Sequence, residues 1–315
     1  MEEIIVVLAA DNKYAIPLTV TLYSLLSHLH SEQPIVLYVI DGGIKWWNKI
    51  KIKVSLSKAH NNFKLEWLKP SLLENQINTL KFSGHLSAKA VYFRLLIPYL
   101  LDEKIDKVIY LDSDLLIQKD LTQLWNIDIQ DKDILAVQDT GIPYVSSPNG
   151  LIKYKEFGLK ENDKYFNSGV LVINLDKWRS DNLSEEVIKF TQTNRESIRW
   201  ADQDGLNAIL VNKWGQLDPR WNQVSAIHKY SCWEESPFTE EVYNNSLNDP
   251  YIIHFSSQIK PWHFKVTYKC PYEDLFFEYL DRTAWKGWRP KEGLKIRLRR
   301  YWQKVADKFK ELSTK

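Results

Sequence analysis

Cysteine is scarce in this chain: its 315 residues include two, Cys232 and Cys270, too few and too far apart for a disulfide framework or a thiolate metal site. They read as free thiols in a reducing compartment. Net charge is low as well, with 42 Lys and Arg against 40 Asp and Glu, which excludes a protein that coats nucleic acid over its whole surface. No apolar run approaches the ~20 residues of a membrane span. The stretch Ile4–Ala10, behind Met1-Glu2-Glu3, is acidic-flanked and too short for a signal peptide, so the expected location is the cytoplasmic side. Internal repeats and low-complexity segments are lacking too. What is present is material for a core: 44% hydrophobic, 13% aromatic and 26% charged residues exclude wholesale disorder. The length allows one large domain or two ordinary ones.

The near-neutral total hides an asymmetry. Residues 286–315 carry eleven basic and three acidic side chains, so this tail is net +8 and residues 1–285 are net −6. Within the tail, Leu294, Leu298, Tyr301, Trp302, Val305, Phe309 and Leu312 recur at helical spacing, with basic residues on the other face. The expectation is a C-terminal basic amphipathic helical extension that meets an anionic membrane surface, entered through a hinge at Trp285–Pro290. The alternatives are a helix docked on the acidic body or a disordered basic end. Nucleic acid is not an expected partner, because the cations sit at the end of an acidic chain.

Short β-branched runs alternate with segments of helical period, the pattern of an α/β fold with a mostly parallel central sheet flanked by helices. Expected strands are Ile4–Ala10, Ile35–Ile40, Phe63–Leu68, Lys107–Leu111, Ile134–Gln138, Val170–Asn174 and Tyr251–Phe255. Expected helices cover residues 14–30, 45–58, 88–101, 183–195 and 202–211.

The sharpest chemical signal is Asp112-Ser113-Asp114 at the carboxyl end of an apolar strand, where open α/β sheets place their ligands. Hard oxygen donors of this kind suit Mg²⁺ or Mn²⁺, which can also hold a diphosphate. A solvated turn is the ordinary alternative. Asp11-Asn12 and Asp139 follow other apolar runs, Phe166-Asn167-Ser168-Gly169 precedes one, and Asp202-Gln203-Asp204 opens a helix, where acids also serve as caps. His254 lies in Tyr251-Ile252-Ile253-His254-Phe255, and such a lone imidazole is most often a satisfied core residue.

Six stretches in one order alter that balance: Ala9-Ala10-Asp11-Asn12-Lys13-Tyr14, Tyr92-Phe93-Arg94-Leu95, Val108–Asp114, Tyr165–Leu171, Asp202–Asn207 and His254–Trp262. With them the chain resembles glycosyltransferase family 8, particularly bacterial lipopolysaccharide α-galactosyltransferases and α-glucosyltransferases, over residues 9–262. The resemblance implies a GT-A nucleotide-sugar-binding fold over residues 1–265, with residues 266–315 as the helical extension. It also implies a retaining, metal-dependent transfer of galactose or glucose from UDP-galactose or UDP-glucose to a saccharide or glycolipid acceptor; the basic tail adds the expectation that the enzyme is peripheral on the inner membrane face. Carried over by position, Asp112, Asp114 and His254 are the metal ligands, for Mn²⁺ or Mg²⁺. Ala9, Asp11 and Tyr14 lie where the family holds uridine; Arg94, Asp139, Asn167 and Asp202 correspond to groups that grip the donor sugar. Ser257 and Lys260 fall at or beside the diphosphate, Ser113 is a further cofactor-binding position, and Gln203 falls where a weak nucleophile or charge stabiliser is debated. Lys13 and Ser257 depart from the family's frequent Asn and Gly, which puts details of nucleotide contact in doubt. Trp262 is the tryptophan expected beside the site.

Two alternatives compete. A sugar nucleotidyltransferase would want a Gly-rich, basic loop after the first strand, and Ala9-Ala10-Asp11-Asn12 has no glycine. A non-catalytic carbohydrate-binding or membrane-adaptor protein on a transferase scaffold is opposed by retention of Asp112, Asp114, His254 and Lys260.

Overall fold

In the computed structural model, which describes residues 3–70, 89–265 and 269–293, the first apolar run becomes β1 (Ile4–Ala10), buried along its whole length. A strand with no polar face must be covered on both sides, and that places it mid-sheet. The strands that follow are β2 (Ile35–Asp41), β3 (Phe63–Leu68), β4 (Lys107–Leu111), β5 (Leu115–Ile117), β6 (Ile134–Gln138), β7 (Phe166–Asn174), β8 (Trp214–Gln216), β9 (Gln223–Val224) and β10 (Ile252–His254). Seven form one sheet in the order β3-β2-β1-β4-β7-β6-β8, and β5-β10-β9 form a second, smaller one. In the large sheet β7 alone runs against its neighbours; the other pairings are parallel. The carboxyl ends of β1, β4 and β6 therefore share an edge with the amino end of β7.

Helices α1 (Ala15–Ser27), α2 (Trp46–Ala59), α3 (Leu183–Thr193), α4 (Asp202–Ile209), α5 (Glu240–Asn248) and α6 (Glu273–Asp281) flank the sheets. α1 is buried on nearly every side, and its hydroxyls tie down the small sheet. Thr21 Oγ1 donates to Leu115 O (2.8 Å) and Leu115 N donates back (3.0 Å), while Ile117 N donates to Ser24 Oγ (3.0 Å). These bonds satisfy backbone groups of β5 that would otherwise be buried unpaired.

Several expectations change in three dimensions. The helix expected over residues 88–101 is a 3₁₀ helix over Lys89–Leu96 and becomes α-helical at Ile97–Leu100, with Ala88 outside the described residues. The tighter winding aims Tyr92, Phe93, Leu95 and Leu96 into the core together with Arg94. β7 begins four residues earlier than expected, at Phe166. Its register against β6 jumps from Ala136↔Leu171 to Val137↔Asn167, so Ser168, Gly169 and Val170 bow out of that pairing and the sheet opens at this edge. The short strands β5, β8 and β9 carry too few residues for any periodicity to announce them.

Past residue 265 the chain still contributes to the main core through Phe276, Tyr279, Leu280 and Trp285. The expected hinge at Trp285–Pro290 is a clasped turn: Gly287 N and Arg289 both bond to Asp281, the latter at 2.7 Å. The amphipathic helix expected from Leu294 onward lies outside the described residues. Cys232 is exposed and Cys270 buried, both as free thiols. No described helix is long and apolar enough to cross a membrane.

Candidate active site

β4 delivers Asp112 to the open edge, and the chain turns through Ser113 and Asp114 into β5. The turn is held from two sides: Asp112 N donates to Gly169 O (2.8 Å) and Ser113 Oγ to Ala9 O (2.7 Å). β10 pairs antiparallel with β5, setting His254 opposite Leu115. As a result His254 Nε2 lies 3.3 Å from Asp114 Oδ1 and 3.8 Å from Asp112 Oδ2. One ligand atom from each of Asp112, Asp114 and His254 falls within a 4.8 Å cluster. Gly169 makes room for this ring, since a Cβ there would sit 2.4 Å from His254 Cε1 and 2.8 Å from Nδ1.

The amides behind the imidazole decide which of its nitrogens carries hydrogen. Gly169 N donates to Asn167 Oδ1 (3.0 Å), so the other end of that amide is Nδ2, which donates to Asp139 Oδ2 (2.8 Å). Asn222 Nδ2 donates to the same Asn167 Oδ1 (2.9 Å), which turns Asn222 Oδ1 toward His254 Nδ1 at 2.9 Å. An acceptor at that place requires Nδ1–H. Nε2 is left with its lone pair facing two carboxylates, the arrangement a cation ligand needs. Two oxygens and one imidazole nitrogen match the donors that Mn²⁺ takes, and Mg²⁺ to a lesser degree. The residues present therefore fit a divalent cation.

Cationic side chains balance the acids. Lys260 Nζ lies 2.7 Å from Asp114 Oδ2 and also donates to Phe255 O. Burial opposes ionisation of Asp114, but the Lys260 ammonium outweighs it and holds the carboxyl well below the usual range. Arg94 is 4% exposed; it donates to Ser168 O and to Asp112 Oδ1 (3.1 Å) and pairs with Asp202 Oδ2 at 2.7 Å. Tyr110 OH adds a second bond to Asp112 Oδ1 (2.9 Å). Burial pushes Asp202 up to about 7, against the opposing pull of Arg94.

The other expected positions separate into groups. Gln203 Oε1 accepts from Ser168 N (2.9 Å) and Ser168 Oγ (3.1 Å), so it joins the Arg94–Ser168–Asp202 side of the edge. Its neighbours in sequence are scaffold: Asp204 accepts from Tyr165 OH, Arg199 N and Trp200 N, and Asn207 brackets the backbone of Phe166. Asp139 Oδ1 accepts from Gly141 N (2.7 Å) and Ile142 N (3.1 Å). Burial raises its carboxyl above the ordinary value, opposed by Asn167 and those two amides. Asp11 Oδ1 caps the turn beneath Tyr14, accepting from Lys13 N (2.8 Å) and Tyr14 N (3.2 Å). Burial, then the charges of Asp114 and Asp112, push the Tyr14 hydroxyl upward, which keeps it a donor. Trp262 packs edge-on to Tyr14 at 6.0 Å with Lys260 5.7 Å from its ring; being 8% exposed, it is a wall of the site. Ser257 bonds locally to Ile259 O (2.7 Å). Asn222 escaped the sequence reading, because Pro219-Arg220-Trp221-Asn222 carries no recognisable pattern.

A mostly parallel seven-stranded sheet with one reversed strand, two acids at its carboxyl edge and an imidazole brought to them from β10 of the small sheet make this a GT-A glycosyltransferase fold. More narrowly, the chain belongs to glycosyl transferase family 8, whose model matches residues 5–265. It is 34% identical over 283 residues to General stress protein A of Bacillus subtilis (strain 168), covering 89% of this chain and 94% of that protein. Over 216 residues it is 26% identical to the lipopolysaccharide 1,2-glucosyltransferase of Escherichia coli (strain K12), covering 66% of this chain and 59% of that one. The galactosyltransferase LgtC, solved with donor and acceptor sugar analogs, superposes with a TM-score of 0.73 at 24% identity, covering 93% of this chain and 99% of that chain.

Proposed function

We propose that this glycosyltransferase moves galactose or glucose from UDP-galactose or UDP-glucose to a saccharide or glycolipid acceptor, with retention of configuration and dependence on Mn²⁺ or Mg²⁺. The observation that carries the reading is the meeting of Asp112, Asp114 and His254 Nε2 within 4.8 Å, with Lys260 against Asp114. The cation, when bound by these three residues, supplies Lewis-acid stabilisation of a departing diphosphate. Lys260 adds a fixed positive charge to the same oxygens, and Tyr14, Asp11 and Ala9 line the uridine end. Arg94 holds Asp112 and Asp202 in place by bridging them.

At the anomeric carbon, the bond to the diphosphate oxygen breaks as the acceptor oxygen bonds on the same face, and the acceptor's proton passes to the diphosphate. The sugar becomes positively charged on the way, and the amide dipoles of Asn167 and Gln203 together with the carboxyl of Asp202 stabilise it. Gln203 is a neutral amide engaged with Ser168, unlike the paired carboxylates of a retaining glycosidase, and this supports same-face substitution over a covalent intermediate. Residues 1–265 form the catalytic unit in this reading. The basic run 286–315 holds the enzyme to the inner membrane face, where a glycolipid acceptor resides.

The test is a panel of sugar nucleotides scored by thermal shift with Mn²⁺, then by UDP release without acceptor and by the anomeric configuration of the product. One UDP-hexose should raise the melting temperature only with the cation present. Cation-independent binding, or an inverted product, overturns the reading.

A further inference from the structure

α2 buries Ile52, Ser55 and Leu56 and turns the opposite face outward. Trp46, Ile50 and Val54, spaced four apart on one stripe, are 68%, 53% and 48% exposed, with Trp47 beside them at 45%. Large apolar side chains in a contiguous exposed patch mark a contact surface. Lysines frame this one: Lys45, Lys49, Lys51, Lys53 and Lys58, with no acid from Lys45 to Lys58, inside a body that is net −6 over residues 1–285. Lys49 is committed to Asp41. Lys45 leans over the Trp47 ring at 4.9 Å, so tryptophan and cation sit at one level, as they do in helices at a membrane interface.

Where the chain goes next matters. Ala284 N donates to Ser55 Oγ (2.9 Å) and Lys51 lies 5.3 Å from the buried Trp285 ring, so the +8 stretch 286–315 begins at the flank of α2. At its other end, α2 meets the donor side of the sheet: Lys45 N and Asn48 Nδ2 both donate to Asn12 Oδ1, next to Asp11.

We propose that the outer face of α2 is a docking surface for an anionic lipid bilayer, with Trp46, Trp47, Ile50 and Val54 entering the headgroup boundary and the lysines meeting lipid charge. A second copy of the chain would set lysine against lysine across such a face, so it is the poorer occupant. Docked this way, α2 holds the Asp11 end of the site close to the lipid plane. That consequence rests on the proposed transfer to a glycolipid; the lipid contact itself does not.

The test is vesicle flotation of the full-length protein, with phosphatidylcholine alone and with phosphatidylglycerol added. Trp46→Ser/Trp47→Ser/Ile50→Ser should cut partition to the anionic vesicles at least about tenfold, and Lys53→Gln/Lys58→Gln about 30-fold, at about 1 kcal/mol per lysine. Circular dichroism and UDP release should match the parent. Trp46→Phe/Trp47→Phe should still bind but lose most of its quenching by brominated lipid. Partition unchanged in every α2 variant would overturn the proposal, as would vesicle binding that needs residues 294–315 alone. A dimer in sedimentation that the triple substitution dissolves, or equal affinity for RNA, would also overturn it.

Discussion

Replacing Asn222 by Leu tests the site where its logic is tightest. The substitution keeps size and removes the acceptor that faces His254 Nδ1 at 2.9 Å. Without it, the bond that holds hydrogen on Nδ1, worth about 1 kcal/mol net, is gone. In the parent the alternative tautomer also leaves Asn222 Oδ1 as an unmet buried acceptor, a penalty of about 1.5 kcal/mol that the variant no longer carries, whereas the Nε2–H bond to Asp114 Oδ1, at 3.3 Å, is open to both proteins and cancels. Together these shift the tautomer ratio away from the cation-binding form by about 2.5 kcal/mol, or about 70-fold, and Mn²⁺ affinity should fall at least about tenfold, within the 10- to 100-fold range typical of groups that orient a metal-bound imidazole. Mn²⁺ titration followed by electron paramagnetic resonance reads the affinity. Nitrogen-15 NMR of labelled histidine reads the tautomer without any cation. The parent should show Nδ1 protonated and Asn222→Leu should show Nε2 protonated, with urea unfolding confirming an intact fold. Parent-like Mn²⁺ affinity together with a reversed tautomer would refute the reasoning, and so would an unreversed tautomer.

Gly169→Ala should displace the His254 ring, because the new Cβ falls 2.4 Å from Cε1; Mn²⁺ affinity should drop at least about tenfold by the same titration. Gln203→Ala should slow transfer by about a hundredfold without abolishing it, and mass spectrometry of stalled enzyme should find no sugar on Gln203 or Asp202. Asp202 carries a pH signature: its carboxyl is raised from 3.8 to about 7 by burial, so folding favours its protonated form. The contribution is present below the ordinary value and lost as pH rises through about 7. Thermal melts in chelator from pH 5 to 8 should show the parent losing stability relative to Asp202→Asn, and parallel curves would sink the assignment.

The parallel sheet was legible because buried strands are written in near-continuous apolar runs: Ile4–Ala10, Lys107–Leu111 and Ile134–Gln138 end where the apolar pattern ends. Asp112 and Asp114 were legible for the same reason, as acids at a strand's carboxyl end. The 3₁₀ winding at Lys89–Leu96 was not, because its apolar side chains also fit a helical period and only burial on all sides selects the tighter turn. Nor was β5, whose three residues owe their strand form to hydroxyls of α1 and to pairing with β10.

By itself, then, the sequence determined the layer architecture, the strand ends where open sheets place their ligands and the sign of charge at each end, since these depend on neighbours a few residues apart. The order of motifs along the chain marked the family. The tertiary structure alone decided that His254 meets Asp112 and Asp114, that Lys260 reaches Asp114 across 146 residues, and that Asn222 selects the imidazole's free nitrogen. It also decided that one face of α2 stays bare. Such outcomes depend on which remote segments share an edge once β10 pairs with β5, and no local period encodes a distance of that kind.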